Sequence, residues 1–305
     1  MPHIDKKTLA FLSLAVSGTA WGCNWVVMKI AVQYAGPFTF AALRMLGGGA
    51  LLVLALVLMR RPLRLELPFH VYAVVGFFQS AAFVGLATWA VVSAGAGKVA
   101  ILAYTMPMWT ALLAWPFLGE RLGKTESLAI AISFAGIVCM VGRIGGGWFA
   151  DVLAVLCGLS WAIGIIYMKR VVHQAVDLYR LSAWQTLIAG VMLAIVAFFV
   201  HERPIEWTPA FGWALAYNIV FANAIAYSLW FFASSVLPAG DASMGALLAP
   251  VVGVVAAWLF LGEQPPLLEG VGMLLVLAGV ALIAYRRSFD RKLIETNGTS
   301  RAFRR

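Results

Sequence analysis

Apolar residues run along this chain in long blocks, separated by short connections that carry charges, prolines or turn residues. A helix needs about 20 apolar residues to cross ~30 Å of hydrocarbon at ~1.5 Å per residue. Ten blocks approach that length: 8–32, 38–59, 69–92, 96–118, 125–142, 149–172, 178–200, 209–234, 240–261 and 267–286. The pattern predicts an all-α membrane protein with ten transmembrane helices.

The composition agrees with a membrane protein. A chain of 305 residues would suggest two soluble domains, but 63% of it is apolar, 11% is charged and its mean hydropathy is +0.92. Soluble domains carry about 25% charged and under about 50% apolar residues. The composition therefore leaves little room for a soluble catalytic domain, a nucleic-acid-binding domain or a disordered regulatory region.

The distribution of lysine and arginine predicts the orientation. If the N-terminus is cytoplasmic, the connections and the tail on that side carry most of the basic residues, and the opposite side carries Arg143 and Arg203. This bias is the positive-inside pattern, so both termini are predicted to be cytoplasmic. The net charge of +9 is then explained by topology, and no nucleic-acid partner is expected.

The two halves of the chain resemble each other. The sequence Phe-Leu-Gly-Glu occurs at 117–120 and again at 260–263, in register with matching Pro, Glu and Gly residues on either side. Five spans per half is an odd number, so the second copy must enter the membrane upside down. The predicted organisation is a first repeat at 1–143, an inverted second repeat at 144–288 and a basic cytoplasmic tail at 289–305.

These motifs resemble the EamA-type drug/metabolite transporter superfamily. The resemblance rests on the segment 18–24 of the first span and on the helices with Pro107 and Pro250, each of which leads into Phe-Leu-Gly-Glu. Within the superfamily the chain is similar to bacterial inner-membrane exporters of the YddG kind, which are associated with aromatic amino acids. The resemblance implies a multi-pass inner-membrane protein with a basket-like cavity, lined by spans 1, 3, 4, 6, 8 and 9 and supported by spans 5 and 10.

Aromatic and amide side chains inside the spans are the candidates for substrate binding. An amide facing lipid is costly, so each deep amide should face a cavity or bond another helix. The tryptophans have alternative roles in interfacial belts or helix packing. The predicted substrate-binding residues are Trp21, Asn24, Gln79, Phe83, Tyr104, Trp161, Asn223 and Tyr227.

Two prolines and two basic residues have further predicted roles. Pro107 and Pro250 free a carbonyl of the preceding turn, which permits either a hinge or a static kink. Arg44, in span 2, could bind an anion such as a carboxylate, snorkel, or pair with a neighbour. Lys98 begins span 4, where the helix dipole disfavours a cation, so it is a second possible anion contact.

Chemistry that the sequence lacks narrows the function. No Asp or Glu lies at mid-membrane depth, the four histidines are terminal or in connections, and the three cysteines have no metal-ligand spacing. We therefore expect no metal, no cofactor and no carboxylate relay for protons. The remaining aromatic and amide groups suit neutral or zwitterionic amphiphiles.

The predicted function is the export of aromatic or other bulky neutral amino acids and related small metabolites by alternating access. Transport is predicted to be facilitated, without a carboxylate relay for proton antiport. The alternative is export of another class, carboxylate or nucleoside-like, with proton coupling. An intramembrane enzyme would need a nucleophile–base pair or a metal cluster, so an enzyme is not expected. A non-catalytic assembly subunit is a further alternative. The expected partners are a small-molecule substrate and the lipid bilayer, and a monomer suffices for this function.

Overall fold

A computed structural model describes residues 5–141, 147–237 and 247–302 of the chain, with side chains as far as Arg286. These residues form ten helices and no β-strand. In chain order the helices are α1 (Lys6–Ala31), α2 (Pro37–Leu58), α3 (Phe69–Ser93), α4 (Ala96–Leu118), α5 (Lys124–Met140), α6 (Trp148–Val171), α7 (Leu178–Val200), α8 (Pro209–Val236), α9 (Leu248–Leu261) and α10 (Leu267–Ala302).

The all-helical membrane architecture predicted from the sequence is confirmed. The helices α1 to α8 begin and end within about two residues of the predicted blocks. Among the described residues, eight helices are long and apolar enough to cross a bilayer: α1 to α4, α6 to α8, and the 267–286 part of α10. The helices α5 and α9 have 17 and 14 described residues, so ten crossings and the orientation of the termini stay predictions.

The repeated Phe-Leu-Gly-Glu sequence ends a helix in each half. Gly119 follows α4 with φ 70°, and Gly262 follows α9 with φ 67°. Left-handed backbone at a helix C-terminus favours glycine, because a Cβ would crowd the neighbouring carbonyl. A glutamate, Glu120 or Glu263, directly follows each of these glycines.

The helix contacts of one half correspond to those of the other half. The second helices α2 and α7 pack together, as do the fifth helices α5 and α10. The first helix α1 packs on α8 and α9, and its counterpart α6 packs on α3 and α4. Each contact therefore has a partner contact when the halves are exchanged.

A glutamate beyond the end of α7 shows the relative direction of the second helices. Glu202 accepts hydrogen bonds from the backbone N–H groups of Phe38 (2.9 Å) and Thr39 (2.7 Å) at the start of α2. Glu66, beyond the end of α2, likewise accepts from the backbone N–H of Asp177 at the start of α7, at 2.9 Å. The helices α2 and α7 are therefore antiparallel, as an inverted repeat requires.

Three helices are irregular in the middle of the bundle. The third helix of each half contains a π-helical segment, Gly76–Ala82 in α3 and Tyr217–Ile225 in α8. The helix α4 is interrupted between its segments Ala96–Ala103 and Met106–Leu118. Irregular helices of this kind are common at functional sites, because they redirect side chains and backbone groups. In this protein they border the central cavity.

Candidate substrate-binding cavity

A cavity of about 270 Å³ lies between the two halves. Its walls come from α1, α2, α3, α4, α6, α7 and α8. The implied set of lining helices is thus corrected in two respects. The helices α2 and α7 contribute, through Arg44 and Met45 and through Thr186, and the described residues of α9 contribute none. Apolar lipid-facing side chains dominate the hydropathy of α2 and α7, so hydropathy alone does not identify the inner face that lines the cavity.

The structure brings all eight predicted substrate-binding residues to this one cavity. They are Trp21, Asn24, Gln79, Phe83, Tyr104, Trp161, Asn223 and Tyr227. Arg44, the first of the two possible anion contacts, lines the same cavity. Sequence reasoning did not select Trp25, Ser80 and Thr186, which also line it, because nothing in their local pattern distinguishes them from packing residues.

One aromatic group forms around Trp21. Its indole meets the ring of Tyr227 edge-on at 5.4 Å between centroids, and that of Trp230 at 5.7 Å. The indole Nε1 donates a hydrogen bond of 2.9 Å to the carbonyl of Ala222 in the π segment of α8. The indole is thereby held in one orientation beside the cavity, with its polar group satisfied.

A second aromatic group faces the cavity from α1, α3, α4 and α6. Phe83 and Trp161 meet edge-on at 5.0 Å between centroids, and Trp25 meets Tyr104 at 6.4 Å. Trp21 and Trp161 thus belong to different aromatic groups. They line the cavity from the two halves of the chain.

The amides occupy equivalent places in the two halves. Gln79 lies within the π segment of α3 and Asn223 within that of α8. The Nδ2 of Asn223 donates to the carbonyl of Asn218 at 3.0 Å and to that of Arg44 at 3.3 Å. Asn223 therefore links α8 to α2 as well as lining the cavity. The sequence pattern does not indicate that α3 and α8 contain π-helical segments.

Asn24 has one satisfied and one free polar atom. Its Nδ2 contacts the sulfur of Met28 at 3.2 Å, and its Oδ1 is buried without a hydrogen-bond partner in the described structure. A carbonyl oxygen deep in a membrane protein normally has a donor, because an unsatisfied polar group there is costly. Asn24 lines the cavity, so its buried oxygen is an acceptor without a donor beside the cavity.

Arg44 is the basic residue of the cavity wall. Its residue surface is 6% exposed, so the side chain does not reach water or headgroups by snorkelling. Within residues 5–141, 147–237 and 247–286, its guanidinium forms neither an ion pair nor a hydrogen bond, and its Nε is buried without a partner. The neighbour that could have neutralised Arg44 is thus not found among these residues.

Lys98 lies outside the cavity. Its Nζ is 3.0 Å from Asp151 at the start of α6 and 3.1 Å from Glu269 at the start of α10. The anions that it contacts are carboxylates of the protein. At the equivalent position of the first half, Glu126 caps α5 and accepts a hydrogen bond from the N–H of Gly123 at 2.6 Å.

Asp151 was not recognised from the sequence. It is 1% exposed, in the first turn of α6. It lies at the start of a predicted span, where the sequence gives no sign of burial, and its burial results from the packing of α4 against α6. It does not line the cavity, whose described walls carry no acidic side chain.

The two prolines lie away from the cavity lining. Pro107 is the second residue of Met106–Leu118, directly after the interruption of α4. Pro250 is buried in the first turn of the described part of α9, and residues 238–246 before this helix lie outside the described residues. A hinge role for either proline stays a prediction. In the described part of the chain, no cluster of His, Cys, Asp or Glu could hold a metal ion.

Comparison with known proteins places this architecture in a family. The model of the EamA-like transporter family matches residues 8–142 and 148–285. The transporter YvbV of Bacillus subtilis is 31% identical, over 91% of this chain and 92% of its own. A protein of Streptantibioticus cattleyicolor, named as a probable terminal-alkyne amino-acid exporter, is 26% identical over 96% of this chain and 99% of its own.

A solved crystal structure shares the fold. It superposes with a TM-score of 0.63 at 20% identity and covers 91% of this chain and 98% of its own. The family model covers both halves of the chain on either side of the segment 143–147, and the helices that it matches enclose the aromatic and amide cavity. The chain therefore belongs to the EamA-like transporter family and is a membrane transporter.

Proposed function

We propose that this transporter exports amino acids with aromatic or other bulky apolar side chains, and related small metabolites, across a bacterial inner membrane by alternating access. The observation that carries the proposal is the central cavity, where two aromatic groups, three amides and one arginine face a common space between the halves.

The cavity suits a small amphiphile. Its volume of about 270 Å³ is just below the roughly 300–1,000 Å³ of pockets for drug-sized ligands. The rings of Trp21, Tyr227, Phe83 and Trp161 offer apolar edges and faces to a bulky side chain. The amides and Arg44 offer polar contacts to a head group. The relative named as an amino-acid exporter supports the same class of cargo.

The charged residues in and near the cavity bear on how transport is driven. A proton antiporter of the carboxylate-relay type needs an acidic group that both the proton and the cargo can reach. The described lining residues include no Asp or Glu, and the buried Asp151 is paired with Lys98 outside the cavity. This arrangement supports facilitated transport, driven by the cargo's own gradient.

Packing differs between the two ends of the bundle. One continuous core joins the end of α1, the end of α3, the start of α4 and the end of α9. At the opposite end the described residues form three smaller cores, centred on Leu14, Tyr72 and Leu56. With the termini in the cytoplasm, as the positive-inside rule predicts, the continuous core closes the external end. Alternating access then requires this core to open.

Counterflow in proteoliposomes tests the proposal. Vesicles preloaded with an unlabelled amino acid should take up the same labelled amino acid, with the fastest rates for phenylalanine, tyrosine, tryptophan and leucine. An imposed pH gradient should leave the final distribution at equilibrium. Absence of counterflow for the whole panel would contradict amino-acid transport, and uncoupler-sensitive accumulation would contradict facilitated transport.

A further inference from the structure

The guanidinium of Arg44 is a cation without an anion. It lines the cavity, its residue is 6% exposed, and no carboxylate or hydrogen-bond acceptor contacts it in the part of the chain with described side chains. Two other buried or partly buried basic residues each have a carboxylate partner: Lys98 pairs with Asp151 at 3.0 Å, and Arg180 pairs with Glu66 at 3.1 Å. Arg44 is different because no counter-ion for it is found among the residues whose side chains the structure describes.

Because Arg44 has no counter-ion among the described residues, we expect its partner to be an anion that is not part of the protein. Arginine does not lose its proton in proteins, so burial cannot neutralise it. A charge within a bundle pairs with another group or faces a ligand path, because an isolated charge is costly there. The planar guanidinium matches a carboxylate with two parallel hydrogen bonds.

A complementary group lines the same cavity. Arg44 belongs to α2 and Asn24 to α1, and both line the cavity. The Oδ1 of Asn24 is buried without a donor. The cavity therefore offers one unpaired cation and one unpaired acceptor, which together are complementary to a carboxylate and an ammonium group on the same small molecule.

We propose that Arg44 binds the carboxylate of the cargo and that Asn24 accepts a hydrogen bond from its ammonium group, so that the site selects the zwitterionic head group of an α-amino acid. The side chain of the cargo lies among the aromatic rings. This inference rests on the proposed amino-acid transport and adds its chemical requirement: an amine, an amide or an ester that lacks the carboxylate is not a substrate.

The test compares four molecules that share one aromatic side chain. L-Phenylalanine carries both charges, L-phenylalaninamide and phenethylamine lack the carboxylate, and 3-phenylpropionate lacks the ammonium group. Each competes with labelled L-phenylalanine in counterflow by the wild type, by Arg44→Gln and by Arg44→Lys. Arg203→Gln serves as the matched control, because Arg203 loses the same charge outside the cavity, where its side chain is 47% exposed.

In the wild type we expect phenylalanine to compete about 10- to 100-fold better than the amide or the amine, the range for a hydrogen bond to a charged partner. We expect 3-phenylpropionate to lie between them. Arg44→Gln should remove the preference for the acid over the amide, Arg44→Lys should keep part of it, and Arg203→Gln should keep all of it.

The outcomes separate this inference from the function on which it rests. No phenylalanine counterflow in the wild type contradicts the proposed function and this inference together. Counterflow with an undiminished acid-over-amide preference in Arg44→Gln overturns the role of Arg44 and leaves the function standing. If Arg44→Gln does not fold, the wild-type series decides, since equal competition by acid and amide overturns the proposal.

Discussion

The carboxylate of Glu263 accepts a hydrogen bond of 2.8 Å from the backbone N–H of Ala96 and so joins the end of α9 to the start of α4. Its second oxygen accepts from the N–H of Gly97 at 3.1 Å. A helix from the second half thus provides the N-terminal cap of a helix from the first half. This contact lies beside the continuous core that we propose to close the external end of the cavity.

Replacing this cap should weaken the closed end. Loss of an N-cap acceptor costs about 0.5–2 kcal/mol, and the charge adds a favourable interaction with the helix dipole. We expect Glu263→Ala to lower the thermal unfolding midpoint of the protein in detergent. We also expect a reagent added on the external side to label cysteines placed in the cavity faster in Glu263→Ala than in the wild type. The control is Glu120→Ala, the matching residue of the other half, whose pair with Lys169 is exposed. Equal midpoints and labelling for both variants would contradict the assignment.

Breaking the ion pair between Lys98 and Asp151 should cause a larger loss of stability. Lys98→Met leaves the carboxylate of Asp151 buried without this cation, and removing one partner of a buried pair costs about 3–5 kcal/mol. We expect a marked loss of folded protein in a detergent stability assay. The double change Lys98→Met with Asp151→Asn should recover a substantial part of the loss, since it also removes the buried negative charge that Lys98 neutralises. A double variant no more stable than the single one would show that the pair is not the cause.

Close packing of α1 against α9 gives a prediction at Gly22. A Cβ added there would lie 2.5 Å from the Cβ of Val252 and 2.7 Å from the carbonyl oxygen of Ala249. Overpacking of this size costs about 1–3 kcal/mol. We expect Gly22→Ala to lower both thermal stability and transport. Gly212→Ala is the matched control, because a Cβ at Gly212 meets no atom within 4 Å. Similar behaviour of the two variants would contradict the close approach.

Most of the fold could be predicted from the sequence because lipid imposes a simple rule. A spanning helix must satisfy its own backbone and present about 20 apolar residues, so the blocks of hydropathy mark the helices directly. The connections are short and polar, which fixes the ends of α1 to α8 closely. The helix α10 was predicted to end at 286 but continues to Ala302, because charged residues can extend a helix beyond the bilayer.

The cavity was predictable where one helix face carried its own signal. Trp21 and Asn24 are aligned on a face of α1, and Gln79 and Phe83 are a turn apart in α3. Contacts between distant segments gave no such signal. The pairing of Lys98 with Asp151 and the capping of α4 by Glu263 join residues that are 53 and 167 positions apart, and a single sequence contains no information about their proximity.

The role of Arg44 could not be decided from the sequence for the same reason. A basic residue inside a span pairs, snorkels or faces a ligand, and the choice depends on whether another helix brings an acid to it. The structure shows the inner face of α2 turned to the cavity with no acid beside it among the described residues.

The most direct measurement of the central claim is counterflow of labelled L-phenylalanine by the wild type, Trp21→Ala and Trp213→Ala in matched proteoliposomes. Trp21 lines the cavity and contacts Tyr227, whereas Trp213 is 78% exposed on the outside of α8. We predict saturable counterflow in the wild type, a loss of about tenfold or more in Trp21→Ala from the missing ring contacts, and near wild-type rates in Trp213→Ala. No counterflow in the wild type, or equal rates in the two variants, would contradict transport of amino acids through this cavity.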